Sequence, residues 1–343
     1  MEKLLTYEEV LKLTENHTKY LLLGNGFSMS YNKDRFSFTS LLESAVKKGL
    51  IQENSSLYNI FKKFETKDFE EVVKLLETSL KVLKEYGIND LENKEKITND
   101  SKSLKIHLVD IITNNHPEKI IDISDKEYLT VSNFLNNYHK IYTLNYDLLL
   151  YWSTIKLLDF FNEETIKKKN LNVTDGFKEG INSDIVFGND SSPQEIYYLH
   201  GALHIFDEKH KIIKNTFSRT NIPLKEQTLK NLEKEIYPIF VSEGTSEQKK
   251  AKIIHNAYLN HCYKSLNSIG KKDSSLIVFG TLLKSNDEHI REAIINNKVE
   301  NIYFGVSKIE QKKDLESFID ILSKLKKPKK VILYDYKTVK IWR

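Results

Sequence analysis

The spacing of apolar residues predicts helices in the early part of the chain. Between residues 69 and 84, six apolar side chains recur at three- and four-residue intervals, which places them on one face of an amphipathic helix. They are Phe69, Val72, Val73, Leu76, Leu80 and Leu83. Weaker helical patterns surround residues 104–112 and 128–138. Because no strand-like alternation interrupts them, we predict that residues 37–138 form a mostly helical insertion or cap on an α/β sheet.

Smaller features complete this region. Residues 2–17 read as a short amphipathic helix, and residues 87–103 as a polar connection inside the insertion. Thr39 or Ser40 can cap a helix, and Gly49 lies just past its predicted end.

Short apolar runs predict strands in the rest of the chain, separated by helical patterns at 248–268 and 314–324. The predicted strands are 20–23, 140–145, 195–200, 237–242, 275–280, 301–306 and 331–336. Strands that alternate with helices favour an α/β fold with a Rossmann-like, doubly wound and mainly parallel sheet. We expect one such domain over residues 1–343. Ligands of these folds bind beyond the carboxyl ends of the strands, where we find Gly24, Asn145, His200, Ser242 and Gly280.

The first of these ends carries two glycines, in the stretch Y-L-L-L-G-N-G-F-S. Gly24 permits a tight turn, and Gly26 has no Cβ atom to obstruct a phosphate or a ribose. Ser28 can supply a hydroxyl or cap a helix whose N–H groups attract phosphate. The third glycine of G-x-G-x-x-G is absent, since Met29 and Ser30 follow, so an ordinary dehydrogenase fingerprint is not met. A strand that simply ends in a glycine turn is the alternative.

Polar residues follow the second predicted strand as T-L-N-Y-D. The Asn145 side chain carries both an acceptor and donors, so it can fix a water molecule and a ribose hydroxyl together. Asp147 can bind ribose hydroxyls or cap the helix that follows. For an isolated N-Y-D, the structural cap is the alternative.

A histidine closes the third strand in Y-Y-L-H-G. His200 would project into the cleft at the sheet edge, and an imidazole suits proton transfer near neutral pH. Most of the ten histidines should be surface or packing residues. His204, the nearest competitor, lies past the glycine.

The fourth feature is the run L-I-V-F-G-T, a predicted strand that ends in Gly280 and Thr281. A glycine and a hydroxyl at a strand end suit the binding of an adenosine ribose or a phosphate. Asp287, Glu288 and His289 follow and suggest metal ligands. We discount a metal here, because adjacent residues point in different directions and no partner ligand is visible at good spacing.

Composition limits the functional classes. The chain has 343 residues, 40% of them hydrophobic and 29% charged, as in a globular protein with a real core. A net charge of +4 gives no general attraction to nucleic acid or membrane, and the short lysine runs favour solvated surface. The single cysteine, Cys262, excludes an internal disulfide and a multi-cysteine zinc site. The N-terminal residues lack the apolar core of a secretion signal, so we expect a cytoplasmic protein.

Taken in order, G-N-G-F-S, T-L-N-Y-D, L-H-G and F-G-T-L-L-x-x-N-D-E-H-I resemble the sirtuin-like NAD-binding superfamily. They look most like its zinc-free bacterial branch in antiphage defence systems, which includes the Thoeris sirtuin-domain NADases. The segment 238–245 looks like a subgroup of that branch catalogued as a domain of unknown function. The resemblance covers residues 20–290.

The resemblance implies roles for individual residues. Asn145 would be the catalytic asparagine, with Asp147 the aspartate two residues beyond it, and His200 the catalytic histidine. Gly280 and Thr281 would match the adenosine-binding strand end. The loop around the NAD diphosphate and ribose would consist of Gly24, Asn25, Gly26, Phe27 and Ser28.

The sequence also departs from the family. Deacylating sirtuins hold zinc with four cysteines, whereas this chain has one. Leu282 stands where they usually have a serine after Gly-Thr. The nearest candidate for their nicotinamide-shielding Phe-Arg pair is Arg35-Phe36, in reversed order. The expectation is therefore a zinc-free NAD⁺ glycohydrolase that releases nicotinamide and ADP-ribose as a triggered effector in antiphage defence. ADP-ribosyl transfer and a non-catalytic NAD- or ADP-ribose-binding module are the alternatives. Self-assembly or a defence-system partner protein would supply the control, and we expect no nucleic-acid or membrane partner.

Overall fold

The computed structural model describes most of the chain, and all statements below concern these residues. They are residues 4–36, 41–67, 69–114, 116–179, 185–188, 192–208, 210–216, 222, 224–234, 236–241 and 245–343. The predicted cap at Thr39 or Ser40 and the predicted strand end at Ser242 lie outside them.

Eleven strands occur among the described residues. They are β1 (Thr18–Leu23), β2 (Lys140–Thr143), β3 (Phe177–Glu179), β4 (Ile185–Phe187), β5 (Ile196–Tyr198), β6 (Gly201–Glu208), β7 (Lys211–Lys214), β8 (Tyr237–Phe240), β9 (Ser274–Phe279), β10 (Asn301–Val306) and β11 (Lys330–Asp335).

Six of these strands form one all-parallel sheet in the order β11-β10-β9-β1-β2-β5. Numbered by their own succession along the chain, they read 6-5-4-1-2-3, which is the Rossmann strand order. The predicted α/β fold with a doubly wound parallel sheet is confirmed. Successive strands are added on one side of β1 up to β5 and on its other side from β9 onward. The switch point therefore lies between β1 and β9, where Leu23 is opposite Phe279. A ligand is therefore expected beyond these two strand ends.

The described part of the chain contains fourteen α-helices, which lie in the segments that the apolar spacing predicted as helical and in several others. They are α1 (Tyr7–Leu13), α2 (Gly26–Tyr31), α3 (Lys33–Phe36), α4 (Leu41–Lys47), α5 (Ser56–Lys63), α6 (Phe69–Glu85), α7 (Leu91–Asn114), α8 (Asp125–Leu135), α9 (Leu149–Asn162), α10 (Leu224–Glu233), α11 (Ser246–His255), α12 (Ala257–Ser268), α13 (Glu288–Asn296) and α14 (Lys312–Ser323). Short 3-10 turns lie at 120–122, 285–287, 309–311 and 336–338.

The described part of the predicted helical insertion contains only helical elements, α4 to α8 and one 3-10 turn. The strongest predicted helix, 69–84, matches α6. The prediction of a polar connection at 87–103 is wrong, because α7 begins at Leu91. Nearly all side chains of its first two turns are exposed, so this part of the helix has no apolar stripe to reveal it.

A second, antiparallel sheet was not predicted. Its order is β3-β4-β7-β6-β8, and its strands lie between α9 and α11 in the chain, on both sides of β5. The predicted strand at 237–242 belongs here as β8 and not to the parallel sheet. An apolar run does not show which sheet it will join.

The core of the parallel sheet lies on both sides of its central strands. All residues of β9 and all but Thr18 in β1 are buried, which explains why these strands read as continuous apolar runs. The predicted helix at 248–268 is broken at Asn256, whose side chain accepts hydrogen bonds from the N–H groups of Tyr258 and Leu259. Among the described residues, no helix has both the length and the apolarity needed to cross a membrane.

Candidate active site

A cavity of about 980 Å³ opens beyond the carboxyl ends of β1, β2, β5 and β9, at the switch point of the parallel sheet. It brings together eight of the ten residues that the sequence singled out. These are Gly24, Asn25, Gly26, Asn145, Asp147, His200, Gly280 and Thr281. Phe27 and Ser28 do not line it. The reversed pair Arg35-Phe36 does.

The turns that follow β1 and β9 are packed against each other. The Gly24 N–H donates to the Phe279 carbonyl at 2.8 Å, and the Gly26 N–H donates to the Gly280 carbonyl at 2.9 Å. A Cβ atom on Gly26 would lie 2.4 Å from Gly280 Cα, and Gly280 has a φ of +79°. The absence of a Cβ atom at Gly26 therefore makes room for the backbone of Gly280, whereas the sequence pattern predicted that it makes room for a ligand.

Phe27 belongs to the core behind this turn. Its ring is fully buried and packs against Trp342 at 5.4 Å between centroids. The indole N–H of Trp342 donates to the Phe27 carbonyl at 3.1 Å. The C-terminal residues thus hold the glycine turn from behind, while Ile341 and Arg343 line the cavity.

Ser28 joins the two polar residues that follow β2. The Asn145 Nδ2 donates to Ser28 Oγ at 2.8 Å, and Ser28 Oγ donates to Asp147 Oδ2 at 2.5 Å. All three side chains are buried. Ser28 therefore fixes Asn145 and leaves its side-chain oxygen, which makes no hydrogen bond to the described residues, for a ligand.

Asp147 serves the structure as well as the cavity. Its Oδ1 accepts a hydrogen bond from Leu149 N at 2.9 Å, so it caps the start of α9, as the structural alternative proposed. Burial raises the pKa of this carboxyl from 3.8 to about 6, against the lowering effect of the hydrogen bonds from Ser28 and Leu149.

His200 follows β5 and is 4% exposed, at the wall of the cavity. Its Nε2 lies 3.0 Å from Nε2 of His289, a residue 89 positions away. The backbone of Leu144 makes a further hydrogen bond to the ring. The Leu144 N–H already donates to Leu23, so the group that meets the ring is its carbonyl, which only accepts. We therefore assign the proton of His200 to Nδ1, so that Nε2 accepts from His289 Nε2–H.

His289 is held in turn by Ser246. Its Nδ1 lies 3.0 Å from Ser246 Oγ, and its backbone N–H donates to the same oxygen at 2.8 Å. Burial lowers the pKa of both imidazoles to about 3, with Lys249 as a second cause at His200, and the neighbouring ring as the second cause at His289. The sequence marked His289 only as part of D-E-H and gave no sign of its contact with His200.

Lys249 and Asp287 form a nearly buried ion pair beside the histidines. Lys249 Nζ lies 3.3 Å from Asp287 Oδ1, and the two side chains are 5% and 15% exposed. Asp287 completes a cluster with His200 and His289, in which the potential ligand atoms all lie within 4.8 Å of one another. The structure thus supplies the partner ligand that was not visible in the sequence.

The remaining wall of the cavity is cationic. Among the described residues that line it, two are acidic, Asp147 and Asp287, and six are basic. The basic residues are Lys33, Arg35, Lys249, Lys284, Lys337 and Arg343. Such a lining favours an anionic ligand, and a diphosphate suits it.

The comparisons with known proteins give a family and no named relative. No curated protein matches the chain significantly. A family model described as a domain of unknown function, DUF4917, matches residues 21–342 and therefore covers nearly all of both sheets and every described cavity residue except Arg343. The chain belongs to the DUF4917 family.

Proposed function

We propose that the protein is an NAD⁺ glycohydrolase that cleaves the bond between nicotinamide and ribose. The observation that supports this best is that the glycine turn, Asn145 and His200 line one cavity at the switch point of a Rossmann-ordered sheet. Its basic lining suits the diphosphate of a dinucleotide.

The chemistry asks little of the protein at the leaving group. The bond between C1′ and the pyridinium nitrogen is already activated, because nicotinamide departs as a neutral molecule with the bonding electrons. The site must hold a water molecule in line with C1′ and support the positive charge that develops there. The free side-chain oxygen of Asn145, fixed through Ser28, is placed to orient this water.

His200 is the proposed proton acceptor. The water oxygen forms a bond to C1′, its proton passes to His200 Nε2 and then to solvent, and ADP-ribose is the product. At neutral pH the imidazole is in the neutral form that this step requires. Its Nε2 lies 3.0 Å from Nε2 of His289, so a substrate or water hydroxyl would take the place of His289 at this nitrogen.

Product analysis tests the proposal. Purified protein is incubated with NAD⁺, and the mixture is analysed by mass spectrometry. Equal amounts of nicotinamide and ADP-ribose are expected. ADP-ribose attached to a macromolecule would indicate transfer instead, and NAD⁺ that binds calorimetrically but stays intact would indicate a regulatory module. Either result would contradict hydrolysis.

Two variants assign the residues. Asn145→Ala and His200→Ala should each lower kcat by about 100-fold, because each removes one proposed contact to the reacting water. His255→Ala, with an exposed side chain on α11, is the matched control and should leave the rate unchanged. Equal rates in all four proteins would remove Asn145 and His200 from the site.

The resemblance to defence NADases supports a role as a triggered, NAD-depleting effector. Cells that express the protein should lose NAD⁺ after phage challenge, and cells with His200→Ala should retain it. Control by self-assembly predicts that specific activity rises with protein concentration, and a constant value would argue against it.

A further inference from the structure

We propose that His200, His289 and Asp287 form a binding site for a transition-metal dication such as Zn²⁺, and that the bound ion inhibits NAD⁺ hydrolysis. Binding is inferred from the geometry of the three side chains. The inhibition alone rests on the proposed function.

The two imidazoles present the same atom to each other. Nε2 of His200 and Nε2 of His289 are 3.0 Å apart, and a carboxylate oxygen of Asp287 lies within 4.8 Å of a ring nitrogen of each histidine. In a tetrahedral zinc site, bonds of about 2.0–2.1 Å place two ligand nitrogens about 3.3 Å apart. A widening of a few tenths of an ångström is enough for the ion to enter, with the His289 proton moving from Nε2 to Nδ1, where it would donate to Ser246 Oγ. Two imidazoles with one carboxylate suit Zn²⁺ better than Mg²⁺ or Ca²⁺.

The other ring nitrogens are already held by the protein. Nδ1 of His289 lies 3.0 Å from Ser246 Oγ, which also fixes the backbone of the same histidine. The Leu144 backbone holds the His200 ring. Histidines that bind metals have this arrangement, because an outer hydrogen bond on one nitrogen fixes the ring and directs the other nitrogen at the ion.

Access and coordination number also fit. His200 and Asp287 line the cavity, whereas His289 is 1% exposed behind them. An ion that enters from the cavity would meet three protein ligands and keep one position open toward the cavity. This number of ligands is found in zinc sites that retain an exchangeable water.

Lys249 is the feature that limits affinity. Its ammonium lies 3.3 Å from Asp287 Oδ1, which leaves Oδ2 for the ion, and its charge opposes a second cation nearby. Removing this charge should therefore strengthen metal binding, an effect that general damage to the fold would not produce.

The proposed metal site and the proposed hydrolysis both use Nε2 of His200. An ion on His200 Nε2 occupies the nitrogen that would accept the proton of the attacking water. Zn²⁺ should consequently inhibit hydrolysis, and a chelator should restore it.

The experiment is a titration of chelator-treated full-length protein with Zn²⁺ alone, in competition with a chromophoric chelator. One ion per chain is expected. His289→Ala should weaken binding by at least about 100-fold and Ser246→Ala by about 10-fold. Lys249→Met should tighten it by about 5-fold or more. His255→Ala should bind as the wild type does, and circular dichroism verifies the fold of each variant.

Three results would overturn the metal site: no stoichiometric binding, equal affinity in wild type and His289→Ala, or weaker binding in a folded Lys249→Met protein.

The activity assay separates the two proposals. Zinc binding without any NAD⁺ turnover would remove the proposed function and keep the site. Turnover that is indifferent to bound Zn²⁺ would refute the inhibition.

Discussion

Gly26 and Gly280 meet backbone to backbone at the switch point of the sheet. A Cβ atom on Gly26 would lie 2.4 Å from Gly280 Cα, and one on Gly280 would lie 2.7 Å from Gly26 Cα. Both glycines line the cavity. Their contact joins the two strand ends on which the proposed dinucleotide site depends.

Gly26→Ala should therefore damage both stability and binding. The added methyl group meets backbone atoms, which cannot move as a side chain would, so we expect a loss of about 1–3 kcal/mol in the free energy of unfolding. Affinity for ADP-ribose should fall at least tenfold. Denaturant unfolding and titration calorimetry measure the two effects.

Gly87→Ala provides the matched control. Gly87 has a φ of +65°, but nothing lies within 4 Å of an added Cβ atom. It should lose about 1 kcal/mol for the left-handed backbone and bind ADP-ribose normally. Equal affinities in the two alanine variants would show that the Gly26 contact does not shape the site.

Ser28→Ala tests whether Asn145 needs its support. The variant removes the oxygen that accepts from Asn145 Nδ2 and the hydroxyl that donates to Asp147. Because Ser28 does not line the cavity, we expect kcat to fall by about 10-fold or more while KM changes little. Steady-state kinetics with NAD⁺ give both constants. Ser79→Ala, which loses only a hydrogen bond within α6, should change neither. A rise in KM with an unchanged kcat would contradict a positioning role for Ser28.

The sequence predicted the parallel sheet because its central strands are buried on both faces. Residues 275–280 and 301–306 read as apolar runs and match β9 and β10 to within one residue. Two strands of the antiparallel sheet, β3 and β4, escaped prediction because they have three residues each, too few to show a period. The start of α7 was missed because it is solvated all round.

The candidate site was predictable where it follows a strand end. Asn145 and His200 were found because each stands at the end of an apolar run. The contact between His200 and His289 could not be predicted, since it joins residues 89 positions apart that only the folded sheet brings together. The role of Ser28 was missed for the same reason. Its partners, Asn145 and Asp147, follow β2, which comes after the helical insertion in the chain.

Asp147 should make stability depend on pH in a direction opposite to that of an ordinary paired aspartate. Its pKa is about 6 in the folded protein and 3.8 as a free side chain, because burial penalises the charge. The ionised carboxylate therefore destabilises the fold above pH 6, and the penalty disappears as the group is protonated at lower pH.

Asp147→Asn removes this titration. The free energy of unfolding of the variant minus that of wild type should be higher at pH 8 than at pH 4. The increase should be up to about 3 kcal/mol. His200 and His289 titrate in both proteins, so their contribution cancels in the difference. Denaturant unfolding at the two pH values measures it. A difference that does not change with pH would mean that the carboxyl is not perturbed as the structure indicates.

Lys284 should contribute to affinity through charge. It lines the cavity with five other basic side chains, and a diphosphate would replace its hydration. Lys284→Gln should raise KM for NAD⁺ about 3- to 10-fold and reduce the salt dependence of ADP-ribose binding. Lys12→Gln, on an exposed and screened ion pair with Glu8, should change neither. An unaltered salt dependence in Lys284→Gln would place the phosphates elsewhere.

Trp342 should couple the C-terminal residues to the glycine turn. Its ring lies 5.4 Å from Phe27 and 5.3 Å from Tyr31, and its N–H holds the Phe27 carbonyl. Trp342→Ala removes the ring and the hydrogen bond, so it should cost about 3–5 kcal/mol and weaken ADP-ribose binding. Trp342→Phe keeps an aromatic ring and should lose about 1 kcal/mol beyond the smaller ring volume, for the lost hydrogen bond to the Phe27 carbonyl.

Trp152→Phe is the control, because its indole N–H has no partner among the described residues and it does not line the cavity. These are the only two tryptophans, so Trp152→Phe also isolates Trp342 fluorescence. Addition of ADP-ribose should change that emission with the same midpoint as the calorimetric titration, since Ile341 and Arg343 on either side line the cavity. Emission that does not respond to a ligand bound by calorimetry would mean that the ligand lies away from the glycine turn.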